Sequence, residues 1–198
     1  MSVTPATEPK AARLRWVSRA IATLTALAGI GRHNGEIGFD FGYADFDRDL
    51  SDANGARVTI RGGYHVSDWF QIEGEDVGMA TSGSTGALNA DTTIGAFFVN
   101  GVFNFHPGRG GVVPYVLGGV GLATVRLDFN LSGKADDTGG ASQFAAGCRF
   151  FFGSHGRAAV RLEASVMHHK TSNLVIASQT FTEKSLTAGF TWRLGGRS

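Results

Sequence analysis

A two-residue alternation of apolar and polar side chains runs through most of this chain and limits what it can fold into. In the segment 36–43, the odd positions carry Ile37, Phe39, Phe41 and Tyr43, whereas the even positions carry glutamate, aspartate and glycine. Successive side chains of a β-strand point to opposite faces, so the segment would have one apolar and one charged face. The pattern recurs about eight times with turn residues between, which is typical of a closed antiparallel β-barrel.

The alternation predicts eight strands whose connections alternate in length. Strands are expected at residues 36–46, 56–65, 69–78, 92–105, 114–130, 141–152, 157–168 and 183–194. Short turns are expected at 66–68, 106–113 and 153–156. Longer polar loops are expected at 47–55, 79–91, 131–140 and 169–182. Strands of about 10 residues can cross a bilayer at a tilt, and short turns at one end with long loops at the other are typical of bacterial outer-membrane barrels.

The N-terminal residues do not follow the alternation. Four basic residues precede an uncharged stretch that includes Ala26, Leu27 and Ala28, a small-residue cleavage site. The stretch is shorter than the roughly 20 apolar residues of a transmembrane helix. We therefore predict a cleavable signal peptide over residues 1–28 and a single barrel domain over residues 29–198.

The composition of the polar face indicates that it lines the lumen and that the apolar face meets lipid. Three lysines follow the predicted signal peptide, Lys134, Lys170 and Lys184, and all lie in loops or at a loop-side strand end. The polar face instead carries arginines matched by carboxylates, which can satisfy one another in a confined interior. The predicted lumen network is Glu36, Asp40, Arg57, Arg61, Glu73, Glu75, Arg126, Asp128, Arg149, Arg161, Glu163 and Arg193. An eight-stranded barrel is narrow enough to be filled by such side chains, so a self-neutralising interior is favoured over an ion pathway.

Aromatic residues near the short-turn ends of the strands predict an interfacial girdle. Its members are Tyr64, Trp69, Phe70, Phe103, Phe105, Tyr115, Phe150, Phe152 and Trp192. This girdle argues against the alternative of a soluble barrel that holds an apolar ligand. The only cysteine, Cys148, shares the apolar face of its segment with Ala146 and Phe150, so it is predicted to be an inert lipid-facing residue.

Three segments resemble a known family. Residues 62–75 read GGYHVSDWFQIEGE, residues 114–121 read PYVLGGVG, and residues 186–194 read LTAGFTWRL. These motifs are similar to those of small OmpA-type barrels in the outer-membrane β-barrel (porin-like) domain family, and the resemblance spans roughly residues 35–194. It implies an eight-stranded transmembrane barrel in the bacterial outer membrane, and it says little about activity.

Neither a cofactor nor a metal is predicted. The segment beginning at Asp45 starts like a calcium loop, but Leu50 and Ala56 replace the glycine and glutamate that such a loop needs. The glycines of residues 118–121 precede a continuing strand rather than the helix of a nucleotide-binding loop. A net charge of +1 gives no indication of a nucleic-acid partner.

One rim of the predicted barrel offers an enzymatic alternative. His169, Ser172 and Glu183 are similar to the His-x-Ser-Asn motif and downstream glutamate of the outer-membrane lipid A deacylases. The resemblance implies Ser172 as nucleophile, His169 as general base and Glu183 as its orienting carboxylate. The spacing is one residue longer here, however, which turns the hydroxyl to the opposite strand face from the imidazole.

The sequence therefore predicts a monomeric, non-enzymatic outer-membrane barrel that acts in envelope integrity or in surface interaction such as adhesion. Its expected partners are outer-membrane lipid and lipopolysaccharide, and its long outer loops are the expected site for extracellular ligands. A lipid A acyl-ester hydrolase is the alternative, and a narrow solute channel is the third hypothesis.

Overall fold

The structure, a computed structural model, is a closed barrel of eight antiparallel strands. It describes residues 35–46, 54–85, 88–105, 111–129, 133–152, 157–171 and 179–194. The strands are β1 (Gly35–Asp45), β2 (Gly55–His65), β3 (Phe70–Thr85), β4 (Leu88–Asn104), β5 (Val112–Phe129), β6 (Gly133–Phe152), β7 (Ala158–Thr171) and β8 (Gln179–Arg193). Each strand pairs with its sequence neighbours, and β1 pairs with β8 to close the barrel. The predicted eight-stranded antiparallel barrel is confirmed, while the predicted signal peptide lies outside the described residues.

The alternation in the sequence corresponds to the two sides of the wall. Phe39 pairs with Ile60 on β2 and with Phe190 on β8, and its ring is exposed on the outer surface. The next residue, Asp40, points inward and is buried. Asp76 departs from this pattern, because it is an acidic residue on the outer side of β3. Its register partners are Ile60 and Phe97, and it is only 8% exposed. No helix within the described ranges is long and apolar enough to span a bilayer, a finding that does not bear on strands.

Several strands extend further toward the loop end than the alternation predicts. β3 continues to Thr85 and β4 starts at Leu88, so the loop predicted at 79–91 is wrong and most of that segment is paired wall. β6 starts at Gly133, so the loop predicted at 131–140 is wrong in the same way. Their small and polar residues lack the apolar alternation of a membrane-facing strand, yet backbone pairing needs no particular side chain.

The interior of the barrel has two zones. The half near the short turns is lined by charged side chains, whereas the half near the loop end holds a cluster of buried apolar side chains. The apolar cluster consists of Ala44, Phe46, Val77, Met79, Ile94, Ala96, Phe98, Ala123, Val125, Ala141, Met167 and Phe181. The sequence alternation did not predict this cluster, because the interior was expected to be polar. On β4, for example, apolar residues occupy both faces, with Ile94 and Phe98 inward and Phe97 and Val99 outward.

Candidate functional site

Arg61 lies at the centre of the buried charges. Its guanidinium, 2% exposed, projects inward from β2 and donates through Nε to Asp40 on the neighbouring strand β1. Its Nη1 lies 3.2 Å from Glu73 Oε1 and 3.4 Å from Glu75 Oε2 on β3. Its Nη2 donates across the lumen to Glu163 Oε1 on β7 at 2.8 Å. Four carboxylates therefore surround one cation, and they need further cations to balance them.

Arg161 and Tyr115 supply part of this balance. Arg161 donates to Glu163 Oε2 at 2.6 Å and to Glu73 Oε2 at 3.0 Å. Its Nε also donates to the hydroxyl of Tyr115 at 2.6 Å, and that hydroxyl donates to Glu163 Oε2 at 2.7 Å. The guanidinium lies 4.5 Å from the centre of the tyrosine ring. Tyr115 is thus a buried member of the interior network, and its predicted place in the outer aromatic girdle is wrong.

Arg57 joins the network to hydroxyl groups higher in the barrel. It donates to Glu75 Oε1 at 2.8 Å through Nη2. Its Nη1 lies 2.8 Å from both Ser165 Oγ and Ser185 Oγ, which are 2.6 Å from each other. The second oxygen of Glu75 accepts from the Gln143 amide at 2.6 Å. These short polar residues were missed at the sequence level because a lone serine or glutamine on a strand carries no distinctive signal.

Near the short turns, Glu36 gathers a second group of cations. Arg149 Nη1 lies 3.5 Å from Glu36 Oε1, while His65 Nε2 and Arg193 Nε lie 3.2 and 3.7 Å from Glu36 Oε2. Arg193 also packs over the ring of Phe151, with its guanidinium carbon 4.1 Å from the ring centre. Paired side chains from strands β1, β2, β6 and β8 therefore lie at this end of the interior.

The charges assembled by these contacts match in number. Ten residues predicted for the lumen project inward, five of them cations and five carboxylates: Arg57, Arg61, Arg149, Arg161, Arg193, Glu36, Asp40, Glu73, Glu75 and Glu163. Desolvating an ion costs several kcal/mol, so a buried charge is tolerated only with close partners of opposite sign. Pairing of this kind makes each member depend on the others.

Arg126 does not belong to this group. Its side chain lies on the outer surface of β5, is 47% exposed, and approaches Asp136 on β6 at 4.0 Å. The prediction that Arg126 lines the lumen is therefore wrong. The face of β5 cannot be read from the sequence, because Tyr115 and Leu117 on the inner side alternate with Val116 and Leu122 on the outer side. Asp128 lies in the same strand, but its side chain is outside the described residues.

The rim predicted as a catalytic alternative is only partly formed from described residues. His169 Nε2 lies 2.8 Å from Glu183 Oε1, and both side chains are inward and buried, the imidazole 1% exposed or less. The ring of Phe181 packs against His169 at 5.4 Å between ring centres. Ser172 lies outside the described residues. The His169–Glu183 pair therefore faces the interior of the barrel and is sealed from its outer surface.

The predicted girdle residues other than Tyr115 lie on the outer side of the wall. Trp69, Phe70 and Phe103 form a cluster with ring centres 5.1–5.9 Å apart near the short turns. The remaining predicted girdle members on this side are Tyr64, Phe105, Phe150, Phe152 and Trp192.

Cys148 is a free thiol that pairs in register with Pro114 and Leu162. No group of three or more histidine, cysteine, aspartate or glutamate residues suited to a metal ion occurs within the described ranges.

Comparison with known proteins identifies this architecture. A family model described as "outer membrane protein beta-barrel domain" matches residues 18–193. The structure of Neisserial surface protein A is similar, with 14% sequence identity, a TM-score of 0.65, and coverage of 80% of this chain and 96% of that chain. Ail, the attachment invasion locus protein of Yersinia pestis, in complex with the heparin analogue sucrose octasulfate, gives 16% identity, a TM-score of 0.51, and coverage of 80% and 99%. No curated protein matches the chain.

Proposed function

Because the chain belongs to the outer membrane protein β-barrel domain family and lies in the bacterial outer membrane, we propose that it is a non-enzymatic barrel with a closed, charge-filled lumen. It acts in envelope integrity or in surface interaction such as adhesion. The observation that carries this proposal is the set of cross-lumen bonds made by Arg61, above all the bond to Glu163. A cation held by four carboxylates leaves little freedom for ions to pass.

The apolar cluster at the loop end supports a closed lumen. Phe46, Met79, Phe98 and Phe181 lie inside the barrel above the charged zone, and each is at most 6% exposed. An ion would have to leave much of its water shell to pass these apolar side chains, beside which His169 and Glu183 already contact each other. It would then meet arginines already paired with carboxylates. Both zones therefore oppose conduction, by different physical means.

The closed lumen is tested by adding purified full-length protein to planar lipid bilayers. We expect no sustained open-channel conductance in the native protein. The matched variants are Arg61→Ala, which removes the central cation, and Arg126→Ala, which removes an exposed arginine of the outer wall. Steady, ion-selective conductance in the native protein would overturn the closed lumen and promote the solute-channel hypothesis.

In the proposed surface role, extracellular ligands bind at the outward end of the barrel, because loops on a rigid scaffold usually carry binding specificity. Cells with and without the protein would be compared for sensitivity to bile-type detergents and for attachment to immobilised sulfated polysaccharide. The latter probe is chosen because Ail was crystallised with a heparin analogue, although likeness at 16% identity concerns the fold alone. Unchanged detergent sensitivity together with unchanged attachment would contradict both parts of the proposed role.

A second candidate, an acyl-ester hydrolase, is favoured by the 2.8 Å contact between His169 and Glu183. A carboxylate and the imidazole that it orients are two of the three members of a nucleophile-activating triad. The imidazole, however, faces the interior beside Phe181, whereas an acyl chain in the membrane meets the outer surface. We expect Ser172→Ala to leave the lipid A of expressing cells unchanged, and loss of a deacylated species in this variant would replace the non-enzymatic proposal by the hydrolase.

A further inference from the structure

The outer surface formed by β7 and β8 changes from apolar to basic along its length. Its outward-facing cross-strand pairs, from the short turns toward the loop end, are Ala158–Trp192, Val160–Phe190, Leu162–Ala188, Ala164–Leu186, Val166–Lys184, His168–Thr182 and Lys170–Thr180. The first four pairs contain no charged group. The last three pairs carry His168, Lys170 and Lys184, all of them exposed.

The height of this change matches the outer edge of a membrane. Lys184 lies eight residues before Trp192 on β8, which corresponds to about 27 Å along the strand and to about 21 Å across a bilayer at a tilt of about 40°. The apolar band of an outer-membrane barrel is about 25 Å tall. Trp192 therefore marks one interface, and Lys184 reaches the other, where its flexible stem can carry the ammonium into the headgroup layer.

Three cationic or titratable side chains converge at this level. His168 and Lys170 are two positions apart on the same face, hence about 7 Å, and Lys184 is the diagonal neighbour of His168, at about 7–8 Å between backbones. The ring of His168 is oriented by a 2.9 Å contact between its Nδ1 and Thr182 Oγ1. Lys170 and Lys184 lie on either side of His168, about 14 Å apart along the strands, so both long side chains must turn toward His168 to reach one tetrahedral anion.

The outer surface elsewhere at this level lacks a comparable excess of basic groups among the described side chains. On β5 and β6, Arg126 is accompanied by Asp136 at 4.0 Å. On β1, the exposed acid Asp45 is the register partner of Lys184 and offsets part of its charge. His168 faces Ser142 and Thr182 in register, and Lys170 faces Thr180, so these two basic residues have no carboxylate opposite them among the described register pairs. The β7–β8 surface therefore keeps an excess of basic groups, which favours an anion there.

We propose that this surface, defined by His168, Lys170 and Lys184, binds the phosphate of an anionic lipid headgroup in the outer leaflet. The acyl chains of the same lipid lie against Leu186, which is 64% exposed and follows Lys184 on the same face, and against Leu162, which is 47% exposed and lies further toward the short turns. The site depends on the membrane location of the barrel and not on the surface role or the closed lumen proposed above, so these proposals can fail separately.

The test is a titration of the purified full-length protein in neutral detergent with diphosphorylated lipid A, followed by native mass spectrometry. Each lysine near an anionic surface contributes about 1 kcal/mol, so the double variant Lys170→Gln/Lys184→Gln should bind roughly 30-fold more weakly. Arg126→Gln is the matched control, because it removes a cation from a different part of the outer wall, and its affinity should stay within about twofold of native. The variant Lys170→Arg/Lys184→Arg should retain binding.

Two further arms distinguish a site for a lipid phosphate from a site for acyl chains alone or for free phosphate. Dephosphorylated lipid A should bind the native protein no better than it binds the double variant, and inorganic phosphate should not displace the bound lipid. Equal binding of phosphorylated and dephosphorylated lipid, or unchanged affinity in the double variant, would overturn the proposal. Displacement by inorganic phosphate would overturn its assignment to a lipid. Should the double variant fail to fold, as judged by its far-UV circular dichroism, His168→Gln supplies the same comparison with a smaller expected loss.

Discussion

Arg61 Nη2 lies 2.8 Å from Glu163 Oε1 across the lumen, and this contact joins β2 to β7, two strands that are not neighbours in the barrel. The two residues are 102 positions apart in the chain. Backbone pairing holds each strand to its neighbours, whereas this bond joins two strands that are separated by β1 and β8. The interior charges therefore join strands that share no backbone hydrogen bonds with each other.

Replacing Arg61 should be among the most damaging single changes in the interior. Arg61→Ala leaves Asp40, Glu73, Glu75 and Glu163 without their shared cation, and breaking a buried ion pair from one side costs about 3–5 kcal/mol. The measurement is the free energy of unfolding by urea in phospholipid vesicles. Arg126→Ala removes an exposed arginine and should change this free energy by less than about 0.5 kcal/mol. Equal effects of the two variants would contradict the interior network.

The hydroxyl of Tyr115 should contribute to the free energy of unfolding in addition to the packing of its aromatic ring. Tyr115→Phe removes one oxygen that accepts from Arg161 and donates to Glu163, and leaving those groups partly unsatisfied should cost about 1–3 kcal/mol. Tyr43→Phe is the control, because Tyr43 is exposed on the outer surface. The same urea titration applies, and a loss as large in the Tyr43 variant would show that the interior position of Tyr115 is not the cause.

Two glycines of the wall should differ in their tolerance of a methyl group. A Cβ at Gly189 would collide with the backbone oxygen of Phe39 and with Asp40 Oδ1 on β1, whereas a Cβ at Gly118 has no atom within 4 Å. Gly189→Ala should therefore destabilise the barrel by about 1–3 kcal/mol, because the β1–β8 closure must move apart. Gly118→Ala should be neutral or slightly stabilising. Folding yields in detergent rank the two variants, and the reverse order would rule out the β1–β8 register.

Spin labels along one strand should report the membrane boundary. In a Cys148→Ser background, a nitroxide at Leu162 should be accessible to oxygen and protected from a water-soluble nickel chelate, because its side chain faces lipid. A label at Lys170, on the same face of β7 and eight residues further on, should show the opposite accessibilities. A label at Leu162 that is quenched by the chelate would contradict the membrane-facing outer surface.

The sequence was a reliable guide where the two faces of a strand differ in chemistry. From residue 36 to residue 43 of β1, charged or small even positions alternate with apolar odd positions, so the inward direction of Glu36 and Asp40 could be predicted. On β5 both faces are apolar, and the prediction was wrong for Arg126 and for Tyr115. A period of two residues identifies a strand, but it orients the strand only if one face is distinctly more polar.

The predicted catalytic rim shows a second kind of information that the sequence did not provide. His169 and Glu183 are 14 residues apart in the chain and belong to adjacent strands, so their 2.8 Å contact depends on the β7–β8 register. The spacing of the residues suggested that they gather at one rim, but it could not place them inside the barrel beside Phe181. That placement is what favours a non-enzymatic barrel over the hydrolase.

The sequence alone predicted the fold class and the location of the protein. The alternation repeated over eight strands predicted the closed barrel, and the lysine-poor polar face together with the aromatic girdle indicated that the apolar face meets lipid. Tertiary structure decided which partners each charge has. The cross-lumen contact of Arg61 with Glu163, the apolar cluster above it, and the basic surface of His168, Lys170 and Lys184 arise from the stagger of neighbouring strands. That stagger is set by backbone pairing around the whole barrel, which no single segment of sequence encodes.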